Sequence, residues 1–220
     1  MITKNFQKLQ SEVADHVKAD RIAQGSYKTC FIGCLANGIN NPEFIENEYG
    51  IPLMVSRIAE SIFERLPAAS EIKFFAALPE AVGSDGKDLT LVGWKFLAAE
   101  LRALPPVPDD IQAVIDPVIE GMDLLGEGRD WPEAAVTNPA YWPVSAAANA
   151  AADAAWPGFA AWPGFAALSA ADVATFVADA AWSASAADAK AAVYSAARLR
   201  QRDTLLRLIK EAPINTQEKN

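Results

Sequence analysis

Apolar residues recur along this chain mainly at spacings of three and four, the period of amphipathic helices rather than strands. The clearest case is Leu53, Val55, Ile58, Ile62, Phe63 and Leu66, with Arg57, Glu60, Glu64 and Arg65 falling elsewhere on the wheel. Pro52 and Pro67 flank the pattern, which predicts a helix over residues 53–66. Upstream, Ser11 reads as the cap of a helix running to about residue 24, with Val13, Val17 and Ile22 inward and Gly25 closing it. The run 30–38 is short and apolar, so periodicity alone leaves helix and strand open. With no partner strand elsewhere, a short helix is expected, carrying Cys30 and Cys34 on one face.

Asn41-Pro42 is a cap followed by a helix-starting proline, which predicts a short acidic helix through Glu43, Glu46 and Glu48 to Gly50. Residues 70–78, with Ile72, Phe74 and Phe75, form the next. Residues 81–87 hold two glycines and Ser84-Asp85 and are the most turn-like stretch of the first half. Asp88 is placed to cap a helix over 89–104, and Pro105, Pro106 and Pro108 make a stiff connector behind it. Asp109 and Asp110 suit the positive end of a helix whose core face is Ile111, Val114, Ile115, Val118, Ile119, Met122 and Leu125. Pro117 should kink that helix.

Beyond Gly126 the composition changes. Between Ala146 and Ala197, 26 of 52 residues are alanine, the residue that orders most readily into closely packed helices. Trp-Pro interrupts the region at Trp131, Trp142, Trp156 and Trp162, and Ala-Ala-Trp-Pro-Gly-Phe is repeated in tandem over 154–165. Proline suits the first turn of a helix and not its interior, so each step is expected to start a short helix, the rings covering the joints. A duplication carried in a surface loop is the alternative. Helices are expected over 169–181 and 185–212. Of the second, Ala189, Val193, Ala196, Leu199, Leu205, Leu206, Leu208 and Ile209 should form the apolar face, with Pro213 ending it. The fold class is therefore all-α and multi-helical. An N-terminal helical unit is expected over 1–125, an Ala/Trp-rich helical unit packed on it over 126–213, and a disordered tail over 214–220.

Charge narrows the function. A formal net charge of -9 and a pI near 4.7 argue against a general nucleic-acid binder, which needs excess Lys and Arg to displace counterions. Aspartates and prolines break up the Ala-rich region, so no membrane span is expected there, and no signal-peptide pattern is found. Two cysteines make no disulfide framework, and a reducing, cytoplasmic setting is expected.

Candidate chemistry is sparse. His16 is the only histidine, so any Ser-His, Cys-His or His-metal mechanism has to use it. Cys30 and Cys34 could join it, with a carboxylate, around zinc. Without a second paired motif, buried thiols and an exposed His16 are the expectation. No phosphate loop, nucleophile elbow or dinucleotide fingerprint occurs. The acidic groups Glu43, Glu46, Glu48 and Glu60, Glu64 read as solvated helix faces. Arg198, Arg200, Arg202, Arg207 and Lys210 sit towards the negative end of the last helix, where they stabilise it, and phosphate or an acidic partner is the other use of such a patch.

Gly25-Ser-Tyr to Cys34, Tyr49-Gly-Ile-Pro-Leu to Phe63-Glu-Arg-Leu-Pro67, Asp88-Leu to Trp94-Lys-Phe-Leu97 and Gln201-Arg-Asp-Thr-Leu-Leu together resemble a group of uncharacterised phage and prophage proteins. That group joins a compact N-terminal half to an Ala-rich C-terminal half. The tandem Trp-Pro-Gly-Phe departs from its uninterrupted Ala/aromatic pattern. The resemblance implies accessory phage biology, with no catalytic residue to carry over. The expected function is a non-enzymatic binding protein, a phage-encoded inhibitor of a host defence or regulatory protein, with neither cofactor nor metal. Its binding residues would be Trp131, Trp142, Trp156, Trp162, Arg198 and Arg202. The alternatives are a small-molecule or nucleotide binder with a pocket between the helical units, and a hydrolase or metal enzyme using His16 and Cys30.

Overall fold

The computed structural model describes residues 1–104, 106, 109–130 and 187–215. Among them the regular structure is eight helices and no strand, the all-α class that the periodicity demands. They are α1 (Phe6–Lys18), α2 (Phe31–Leu35), α3 (Pro42–Tyr49), α4 (Leu53–Phe63), α5 (Ser70–Val82), α6 (Val92–Arg102), α7 (Asp109–Gly126) and α8 (Ala187–Glu211). The four Trp-Pro steps, the tandem repeat and the helix expected over 169–181 lie outside the described residues. The chain divides into two compact units, Met1–Gly93 with Ala191–Asn220, and Trp94–Lys190.

In the first unit α1 packs on α5 and α2, and α4 on α3, α2 and α5. At the middle sits Phe31, the first residue of α2. Its ring stacks on Phe74 (centroids 5.7 Å apart) and meets the edge of Phe75 (5.7 Å), with Phe63 at 6.3 Å. All four are 1% exposed or less, and burying a phenylalanine contributes roughly 2–3 kcal/mol, so a five-residue helix is fixed by one anchor. The α2 backbone also lies close to the loop before it. A Cβ at Gly33 would come 2.2 Å from the Tyr27 carbonyl oxygen, so only glycine fits.

Several helix ends are where local signals put them. The Phe44 N–H donates to the Asn41 side chain (3.2 Å) and Gly50 closes α3 at φ 68°. Others are not. Rather than spanning 11–24, α1 starts at Phe6 without a side-chain cap from Asn5 and ends at Lys18, which puts Ser11 in its interior. The Phe6 N–H donates instead to Asp85 (2.7 Å), 79 residues away, so tertiary contact supplies the cap. Pro79 does not end α5, which continues to Val82. Proline costs about 3 kcal/mol inside a helix, and burial of Ala81 and Val82 at 4% and 1% exposure offsets it. Nor does Asp88 cap a helix at residue 89. It accepts from the Thr90 N–H (3.0 Å) and hydroxyl (2.6 Å), and α6 begins at Val92.

The first unit's termini cross the turn after α5. Thr3 N–H donates to the Lys87 carbonyl (2.8 Å), Gly86 N–H to Thr3 (2.8 Å), Leu89 N–H to Met1 (3.0 Å), Asp88 N–H to Pro213 (2.7 Å) and Asn215 N–H to Gly86 (2.7 Å). Residues 214 and 215 of the expected disordered tail are therefore tied down, and 216–220 lie outside the described residues. Lys87, 6% exposed, reaches beneath this crossing. Its ammonium donates to the carbonyls of Ala81 (3.1 Å) and Lys210 (2.8 Å), at the C-terminal ends of α5 and α8.

In the second unit α7 runs through Pro117, with Met122 and Val118 buried and Ile115, Ile119 and Leu125 half-buried. Lys95 lies against Gly126, and Arg102 pairs with Asp123.

Candidate functional site

The loop before α2 and the outer face of α4 bring three metal-ligating groups together. Sγ of Cys30 and a carboxylate oxygen from each of Glu60 and Glu64 all lie within 4.8 Å of one another. Each is placed by backbone. Cys30 is the N-cap of α2, its sulfur accepting from the Gly33 N–H at 3.4 Å. Glu60 in the last turn of α4 and Glu64, its C-cap residue, reach across to the facing chain. Ile32 N–H donates to Glu60 Oε2 (2.9 Å) and Gly25 N–H to Glu64 Oε2 (2.7 Å). Gln24 completes the tether, its amide donating to the carbonyls of Phe63 (2.6 Å) and Leu66 (3.0 Å) at the end of α4.

Electrostatics follow from burial. Desolvation first, then the hydrogen bond to Glu60, pushes the Cys30 thiol up to about 12. Burial and the charge of Glu60 push Cys34 up to about 11. Burial also raises Glu60 above the usual carboxylate range, opposed by the Cys30 and Ile32 hydrogen bonds and by Arg57. Glu60 and Glu64 are thus half-buried anchors rather than the solvated pair expected from their place on the polar face of the helix. A like-charge pair four residues apart weakens an isolated helix, and that was the available signal that something else holds them.

His16 does not belong to this set. It is half-buried rather than exposed, its ring edge-on to Phe75 (6.4 Å) and its Nδ1 buried without a hydrogen-bond partner. Burial and then Arg21 lower its pKa below the ordinary value, with the Cys34 carbonyl opposing. Cys34 donates to the Thr29 carbonyl (3.3 Å) and likewise stays outside the three-donor group. The combination of His16, Cys30 and Cys34 does not form among the described residues. Only Cys30 of the three meets carboxylates.

No protein-family model, curated protein or solved structure matches the chain.

Of the other residues singled out, Trp131, Trp142, Trp156 and Trp162 lie outside the described residues. Arg198 is 5% exposed and donates to Gln201 (2.7 Å). Arg202 is half-buried and pairs with Asp203 at 2.7 Å. Among the described side chains of α8, the buried ones are Arg198, Gln201, Leu205 and Ile209. Ala196, expected inward, is exposed. An open recess of about 660 Å³ also lies between α1 and α5, floored by Phe6, Val13, Ala14, Val17, Ala76 and Pro79, with Lys18 and Glu80 at its edge. Its lining is mainly apolar and includes no thiol or imidazole. Among the described residues no helix is long and apolar enough to cross a membrane.

Proposed function

We propose that the protein works by binding another protein rather than by turning over a substrate, its target being a host defence or regulatory factor and its origin a phage or prophage. The observation that carries the first part is the state of its chemistry-bearing groups. Burial and the hydrogen bond to Glu60 push the Cys30 thiol up, which disfavours the thiolate that a nucleophilic cysteine needs. The sole histidine is held below its ordinary value, and it is not in the group formed by Cys30, Glu60 and Glu64. The carboxylates that do meet Cys30 hold backbone N–H groups. The second part rests on the sequence resemblance, and a net charge of -9 suits steering onto a basic partner.

The test is capture of the partner from host lysate, followed by reconstitution from purified proteins. The expected complex is stoichiometric and weakens with salt through a slower on-rate. Replacing Trp131, Trp142, Trp156 and Trp162 singly by alanine should identify at least one position that abolishes binding while leaving the melting temperature nearly unchanged. His16→Ala and Cys34→Ser should leave binding intact. One chain inactivating many target molecules in succession would overturn the reading.

A further inference from the structure

We propose that Cys30 Sγ and one carboxylate oxygen each from Glu60 and Glu64 form a site for a single divalent transition-metal ion of the zinc class. The inference is independent of the binding function above: the ion would act as a cross-link between the loop before α2 and helix α4.

Distance supports it first. Ligands at 2.0–2.3 Å from a tetrahedral ion stand roughly 3.3–3.8 Å apart. The three donors are already within 4.8 Å, so closing the set takes about 1 Å of side-chain rotation. Orientation is the second support. Oε2 of Glu60 and Oε2 of Glu64 each already accept a backbone N–H, from Ile32 and Gly25. Ligating carboxylates are ordinarily fixed by such outer hydrogen bonds. Charge is the third. A thiolate and two carboxylates around a dication leave one negative charge, and the Arg57 guanidinium, which acts on both Glu60 and Cys30, is placed to balance it. A sulfur donor selects zinc, cobalt or cadmium over magnesium and calcium, which take oxygen ligands only. Three protein ligands leave the fourth position of a tetrahedral ion to water.

Binding forms one sulfur–metal bond and breaks one S–H bond, the proton leaving to solvent, with no change in oxidation state. Because the ligand is the thiolate, the ion competes with a proton for the sulfur, and apparent affinity should rise as pH rises.

The experiment is a titration of the reduced, chelator-treated full chain with Co²⁺, followed by absorption. Saturation at one ion per chain is expected, with a thiolate-to-cobalt charge-transfer band and the visible bands of a tetrahedral ion. Zn²⁺ should displace the cobalt and raise the melting temperature. Cys30→Ser should remove the charge-transfer band, Glu64→Gln should weaken binding by about tenfold or more, and Cys34→Ser should keep the band. Glu60 is spared because it also holds the N-terminus of α2, and circular dichroism of each variant confirms that it folds. The proposal is overturned by absence of saturable uptake, by uptake without the charge-transfer band, or by a band kept in Cys30→Ser and lost in Cys34→Ser. If Cys30→Ser does not fold, undiminished cobalt affinity in Glu64→Gln overturns it equally.

Discussion

Two stretches without regular structure hold the first unit together, and they do it by opposite means. The crossing of residues 84–89 with the two termini is built on five main-chain bonds, which the side chains of Thr3, Asp85, Lys87 and Asp88 supplement. The loop 24–30 is tied to α4 by side chains: Gln24, Glu60 and Glu64 each meet a backbone group across the gap. Main-chain bonds survive most substitutions. Side-chain bonds do not, and only side chains can bring a thiol and carboxylates into one cluster. Both stretches bury an ionisable group at helix ends, Lys87 at two C-termini and Glu60 at an N-terminus, as helix dipoles favour. Lys87 meets carbonyls alone, whereas Glu60 also meets a thiol and a second carboxylate, and there candidate chemistry appears.

The largest effect should come where the side-chain-held loop presses on α2. In Gly33→Ala the new methyl would lie 2.2 Å from the Tyr27 carbonyl and 2.9 Å from that of Lys28. Alanine gains about 1 kcal/mol of helix propensity over glycine, and overpacking costs typically 1–3 kcal/mol, more when backbone must move. Both contacts are backbone, so the clash should win, with a net loss of at least about 2 kcal/mol in chemical denaturation. A stabilised Gly33→Ala protein would show that the loop is not pinned against α2.

Next is the one long side chain in the main-chain crossing. Lys87→Met keeps the volume and removes the donor to the Ala81 and Lys210 carbonyls. Leaving buried acceptors unmet costs about 1–3 kcal/mol, so a loss of about 2 kcal/mol is expected. By contrast, Thr90→Ala near the exposed rim of the same crossing should cost under about 0.5 kcal/mol. Equal losses for the two would mean that the crossing depends on side chains as much as the loop does.

The same contrast explains what could be read in advance. Helices α3, α4 and α8 carry their own signals, such as Asn41-Pro42, the apolar spacing from Leu53 and the stop at Pro213, and they appear nearly as expected. The crossing was invisible because main-chain bonds leave no residue-type signature and its partners are more than 80 residues apart. For the same reason the start of α1 was misplaced, its cap coming from Asp85. Cys30 drew notice in the sequence as a potential ligand, yet beside the wrong partners. Spacing along a chain shows which residues share a helix face, and it cannot show that a loop folds back over Glu60 and Glu64. The helix expected over 70–78 runs on to Val82 because the local penalty of Pro79 is smaller than the burial of the residues after it.

A further effect, smaller than those of Gly33→Ala and Lys87→Met, is one of pH, and it separates Lys87 from the half-buried Glu60 by sign. Glu60 is raised by burial, with Glu64 adding to the shift and Cys30, Ile32 and Arg57 opposing it. A raised carboxylate contributes stability that is fully present below its unfolded value and is lost as pH rises through its folded value. Glutamine resembles the protonated acid and does not titrate. The cost of Glu60→Gln should therefore be largest below about pH 4.5, near 1 kcal/mol for one altered hydrogen bond, and should shrink as pH rises towards 7. Lys87 is lowered, by burial and then by Lys210, so its contribution runs the other way. It is present above the unfolded value of 10.5 and is lost as pH falls through the lowered folded value. The stability difference between wild type and Lys87→Met should accordingly widen in the alkaline range while that for Glu60→Gln stays flat there. Denaturant midpoints for the three proteins at pH 4, 7 and 10.5 would measure both. A Glu60→Gln cost that grew from acid to neutral pH would mean that the carboxylate is stabilised as an anion, and that the loop is held by charge rather than by a hydrogen bond to a desolvated acid.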